Sequence, residues 1–182
     1  MPISPEEASE ALDQVADAQA RSRTLYRYWR GAPHLILWGI LWMTGFGLAD
    51  VFPAHVTVIW SIVTPIGIAI GIGIDRGRDR EKRSRDWRYA IIALALATFF
   101  FATFSILRPH SIDQTSAFIC LVVSLIYVLM GLWFGFRYII GGMLIAALTL
   151  AGFFLLHNHF SLWMASVGGS ALLLTGFWLR KP

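Results

Sequence analysis

The sequence is short of charge and of cysteine, and each shortage excludes something. Only 14% of its 182 residues are charged while 57% are hydrophobic, whereas a soluble domain carries about a quarter charged residues. Such a chain cannot cover a water-facing surface. The one cysteine, Cys120, cannot form an intrachain disulfide, so cysteine usage leaves the redox compartment open. The middles of the long apolar tracts hold no Asp, Glu, Lys, Arg or His. Ionisable groups inside a membrane are costly and are kept for work. Voltage sensing, a proton relay and a haem held by two histidines are therefore not expected. Enzyme motifs are missing too. "GGSA" at 168–171 has no histidine at membrane depth to activate Ser170. "GIGIDRG" at 71–77 has the wrong spacing for a dinucleotide loop and follows no strand. No span carries an acidic pair for Mg²⁺, and we expect no enzyme.

What is present is a set of long apolar runs. A hydrocarbon core of about 30 Å takes about 20 apolar residues in a helix. Charges delimit spans at about 31–49, 52–74, 89–107 and 115–136. Residues 138–179 then carry no Asp, Glu, Lys or Arg, and "HNH" at 157–159 divides them into 138–156 and 160–179. The expected fold is an all-α integral membrane protein of six helices. Continuous runs without alternation exclude a barrel. "RYAIIA" at 88–93 and "RYIIGG" at 137–142, with "GLWFGFR" at 131–137 and "LTGFWLR" at 174–180, suggest three consecutive hairpins.

The basic residues orient these spans. Fourteen of the fifteen Lys and Arg fall on one side of an alternating topology, Arg108 being the exception. Cytoplasmic flanks collect such residues, so both termini are expected in the cytoplasm and the bundle in the inner membrane. Seven of the cations, Arg76, Arg78, Arg80, Lys82, Arg83, Arg85 and Arg88, lie in one loop among four anions. That loop is a topological anchor, and anionic lipid headgroups are its natural partner. Its single aromatic, Trp87, argues against nucleic acid. Thirty residues precede the first span, five of them acidic, and no cleavable signal is evident. "SPEE" at 4–7 offers an N-cap at Ser4 and a capping box at Glu7. Ala8, Ala11, Leu12, Val15, Ala18, Ser22, Leu25 and Trp29 follow at helical spacing. Residues 1–30 thus form a cytoplasmic helical arm that docks on its own basic loop, self-associates or engages a soluble partner.

Other residues invite specific roles. His55, His110, His157 and His159 share the face opposite the basic residues, with Asp50 and Asp113 beside them. Short loops need polar residues in any case, but imidazole and carboxylate also suit Zn²⁺ or Cu²⁺. Gly67 and Gly71, and Gly131 and Gly135, are small residues four apart that suit close helix packing within a monomer or between subunits. Ser166 and Ser170 give the sixth span a similar small face. Pro65 should kink the second span. Trp29, Trp87, Trp133, Trp163 and Trp178 fall near expected interfaces. Trp38, Trp42 and Trp60 serve either packing or an apolar ligand pocket. The functional expectation is a non-enzymatic regulatory, sensory or scaffolding bundle acting through its arm and basic loop. The alternative is a small oligomeric channel or transporter, for a neutral solute or a metal, lined by Ser61, Thr64, Ser124, Tyr127, Ser166 and Ser170.

Overall fold

The computed structural model describes residues 5–78 and 87–181, and no strand occurs among them. Helix α1 runs Pro5–Val51, α2 Val56–Arg78, α3 Trp87–Leu107, α4 Ile112–Phe134 and α5 Phe136–Leu155. The last span is made of α6 (Phe160–Trp163), a π-helical turn (Met164–Gly168) and α7 (Gly169–Arg180). Short 3₁₀ turns, Pro53–His55 and His157–His159, join the helices at one end of the bundle. Among the described residues five helices are long and apolar enough to cross a membrane, and α3 contributes a shorter apolar stretch, Leu94–Leu107.

The arm and the first span are one helix. At about 1.5 Å per residue, the 47 residues of α1 extend about 70 Å. Pro33 lies inside it and removes one backbone bond at the junction, yet the helix continues on both sides. Residues 9–23 are exposed on every face. Ser4, the expected cap, lies outside the described residues.

Packing crosses the hairpin boundaries that the sequence suggests. The closest pairings are α4 with α5 and α1 with α7, joined by a smaller α5–α7 contact. Small residues bring the backbones together: Gly39 and Gly169 face each other, and Gly176 sits on Ala32 and Ile36. In α5, Gly141 meets Thr175 of α7 and its neighbour Gly142 meets the Ser124 carbonyl and Val128 of α4. A two-glycine step thereby touches two helices at once. The fully buried side chains Ile145, Phe160, Met164, Leu172 and Leu179 fill the space between the pairs.

The remaining helices are held loosely. α2 leans on α1, where Gly67 lies under Trp38 and Leu41 and Gly71 faces the His34 ring. His34 Nε2 is 3.0 Å from Asp75 Oδ1 and ties the same two helices one turn beyond Gly71. α3 reaches α4 through phenylalanines: Phe99, Phe100 and Phe104 surround Phe118, with centroids 6.4, 6.3 and 5.8 Å away. Many large apolar side chains point outward, among them Ile62, Ile66 and Ile70 of α2 and Leu125, Leu129 and Leu132 of α4. In water such patches drive association; beside lipid chains they are at home.

Candidate functional site

A cavity of about 860 Å³ lies between α1, α2 and α4, within the size range of small-molecule sites. Helical periodicity makes its walls. On α2, Val56, Thr57, Trp60, Ser61, Thr64, Pro65 and Ile68 recur at three- and four-residue steps and so share one face. On α4 the face comprises Ile112, Thr115, Ser116, Ile119, Cys120, Val123, Ile126 and Tyr127, with Val122 at its edge. Trp38, Trp42 and Phe46 form a line along α1, Leu172 of α7 closes the back, and α3 supplies Leu96 and Phe100. No lining residue is charged at neutral pH.

Polarity changes along the cavity. Thr57, Ser61, Thr115 and Ser116 cluster toward the end with the short loops, and the walls below them are mostly aliphatic and aromatic. Ser61 Oγ donates to the Thr57 carbonyl at 2.7 Å, and Thr115 Oγ1 to the Ser111 carbonyl at 3.3 Å. Their donors are thus occupied while hydroxyl lone pairs stay free to accept. Pro65 has no N–H to offer the Ser61 carbonyl, so one backbone acceptor is released from the α2 ladder. The α4 end of this wall is fixed by a cap. Ser111 Oγ accepts the Gln114 N–H at 3.1 Å, and Gln114 Oε1 accepts the His110 N–H at 2.8 Å. Such a cap contributes about 1 kcal/mol.

Aromatic stacking stiffens the deeper wall. Trp60 lies over Gly45, and its ring meets Phe46 edge-on at 4.9 Å. Phe46 touches Phe160 at 6.2 Å, and Phe160 touches Phe153 at 6.2 Å. Beyond Ile68 and Tyr127 the cavity ends. There α1 and α2 close at Gly67 and Gly71, and Tyr127 meets Tyr138 at 6.4 Å.

A second cluster lies where α1 leaves the bundle. Arg27 Nη1 donates to the Trp133 carbonyl at 2.5 Å and satisfies an orphan acceptor at the end of α4. Arg137 Nη1 donates to the Trp178 and Lys181 carbonyls at 3.0 and 2.6 Å, and its guanidinium sits 5.2 Å from the Tyr28 ring. Tyr28 Oη accepts the Arg137 N–H at 3.3 Å. Three helix ends therefore meet around α1.

The other expected residues are placed as follows. Asp50, His55, His110 and His159 are exposed, and Asp113 is half-buried. The His157 side chain, and with it the H-x-H pair, lies outside what is described. Among the described residues no group of three or more His, Cys, Asp or Glu is placed to hold one metal ion. Arg76 is exposed. Arg80, Lys82, Arg83 and Arg85 and the side chains of Arg78 and Arg88 lie outside the described residues. Gly67 and Gly71 face α1 inside the monomer. Gly131 and Gly135 do not form one helix face, because Gly135 breaks the helix at φ 120 between α4 and α5. Gly131 instead faces Ile139 and Gly135 faces Tyr28. Trp163 packs on Gly152, and its indole donates to the Leu148 carbonyl at 2.9 Å. Of the six hydroxyl residues expected to line a path, Ser61, Thr64 and Tyr127 reach the cavity, Ser124 is buried against its own helix, Ser166 points outward and Ser170 is half-buried away from the lining. Thr57, Thr115 and Ser116 were missed, because they lie at span ends where the sequence gives no reason to prefer one face.

No family model matches the chain, and no curated protein or solved structure matches it either.

Proposed function

We infer that the chain is a non-enzymatic polytopic membrane protein, six spans with both termini cytoplasmic, that regulates, senses or scaffolds through its N-terminal arm. The observation that carries this reading is the unbroken α1. Its last third, at Trp38, Trp42 and Phe46, forms one wall of the cavity, and its residues 9–23 are exposed. A helix transmits displacement along its axis, so a change at the wall moves the arm. The Arg27, Tyr28 and Arg137 cluster is the fulcrum. The cytoplasmic side, the inner membrane and the basic loop's affinity for anionic lipid belong to this reading, and the charge asymmetry supports them.

A small channel is the second reading, since Ser61, Thr64 and Tyr127 face one cavity. Against it, the lining stops at Ile68 on α2, ten residues before that helix ends. A blind cavity suits uptake better than conduction.

Paired spin labels at positions 18 and 48, in a Cys120→Ala background, test the lever. One helix places them about 45 Å apart with a narrow distance distribution; a broad distribution removes the mechanism. Protein-dependent flux of a neutral solute or Zn²⁺ from reconstituted liposomes would favour the channel instead.

A further inference from the structure

We propose that the cavity between α1, α2 and α4 is a binding site for one hydrocarbon chain of a bilayer phospholipid, with the ester region of that lipid held at the hydroxyl-lined end. This deepens the reading above by naming what the bundle takes up, and it rests on that reading for the membrane setting.

Four observations converge on this occupant. The first is chemistry: the walls carry no ion and mostly aliphatic or aromatic groups, which suit a chain and reject a charged or strongly hydrated solute. The second is polarity: Thr57, Ser61, Thr115 and Ser116 gather at one end, where an ester or glycerol hydroxyl finds partners. The third is shape. From Val56 to Ile68 the α2 wall rises about 18 Å, and from Ile112 to Tyr127 the α4 wall rises about 22 Å. The space is therefore elongated along the spans and starts at their loop end, as a chain descending from an interface requires. The fourth is access. α2 packs on α1, and among the described residues no comparable contact joins it to α3 or α4. The cavity is not sealed, α3 adding Leu96 and Phe100 to its wall, and for spans of this hydropathy the medium around the bundle is lipid.

A second copy of the chain is the rival occupant. A helix is about 10 Å across with its side chains, so it covers such an opening from outside without filling the depth behind Thr64 and Cys120. A hydrocarbon chain fills that depth and restores the dispersion contacts that an empty space forfeits.

The experiment uses the full chain in phosphatidylcholine vesicles with a phosphatidylcholine bearing a photoreactive diazirine at mid-chain, adducts being mapped by mass spectrometry. Cys120 is almost wholly buried in the cavity wall, whereas Leu125 and Leu129 of the same helix face outward. Labelling of the peptide segment around Ile119, Cys120 and Val123 should saturate with probe fraction, while labelling at Leu125 and Leu129 should rise linearly. Moving the diazirine toward the ester should shift the saturable adducts to Thr115 and Ser116. Ser116→Trp, or Ile126→Trp should the first variant fail to fold, should cut the saturable component at least about tenfold, equal to 1.4 kcal/mol of binding, and leave the linear one unchanged. Linear labelling at both places, no labelling near Cys120, or loss of the saturable component on crosslinking two copies would each overturn the proposal. The spin-label distance along α1 is a separate readout, so failure here leaves the lever standing and the converse also holds.

Discussion

Gly135 shows how one residue without a side chain can hold three helices. Its φ of 120 lies where L-residues rarely go, and a Cβ there would run into the Tyr28 hydroxyl. Left-handed backbone costs a non-glycine residue about 1–2 kcal/mol, and forced overlap in a packed site about 1–3 kcal/mol more. Gly135→Ala should therefore lower stability by about 2–5 kcal/mol, read as a fall in the thermal midpoint of the purified protein. Tyr28→Phe removes the colliding oxygen. The double variant should thus lose less than the sum of the two single losses. Strict additivity would mean that Tyr28 does not pack on this turn. Arg137 poses a different question, because its guanidinium binds two carbonyls at the end of α7 and stacks on Trp178 at 5.3 Å. Lysine keeps the charge but neither the planar fork nor the stacking. Arg137→Lys should fray residues 178–181, seen as faster amide exchange there with little change in α5.

At the scale of elements, glycine separates helices that are pressed together from those that are free. Gly142 in α5 is closed in by the Ser124 carbonyl and Val128, whereas Gly73 in α2 has nothing within 4 Å of the place a Cβ would take. Gly142→Ala should cost about 1–3 kcal/mol by overpacking. Gly73→Ala should add up to about 1 kcal/mol, since it relieves the entropy penalty of glycine in a helix. Thermal midpoints of the two variants moving in the same direction would contradict the packing described for α2 and α5. The sequence marks the helices well because Arg, Lys and Asp bracket apolar runs of membrane length. Gly67 and Gly71 were legible as a packing stripe for the same reason, helical spacing. What spacing does not show is tertiary. Gly131 and Gly135 have the same spacing, yet a positive-φ turn separates them. The π turn at Met164–Gly168 has no sequence signature at all; it is set by how the last span accommodates α1. The arm's union with the first span was not visible, because the charge at Arg30 reads as a boundary while the helix passes through it. Trp38, Trp42 and Trp60 were visible as pocket candidates from their apolar faces. The hydroxyls at Thr57, Thr115 and Ser116 were not, since only the meeting of α2 and α4 gives them a role.

For the whole molecule, polarity along the bundle axis ties charge to cavity. The hydroxyl-lined mouth lies beside the short turns at 52–55 and 108–111, and the Arg27, Tyr28 and Arg137 cluster lies at the other end. If Lys and Arg set the orientation, fourteen basic residues outweigh the single Arg108, whose φ of 42 ends α3 before Pro109. Reporter fusions after residue 182 and before residue 1 should then both report the cytoplasm, while reporters inserted at His55 and Asn158 should report the opposite side. Such an outcome places the mouth in the leaflet away from the cytoplasm, and a probe lipid confined to that leaflet should label Thr115 and Ser116 first. The same probe confined to the inner leaflet should reach them only after transbilayer exchange. Equal rates from both leaflets would separate the mouth from the topology, and opposite-side termini would reverse which leaflet supplies the chain.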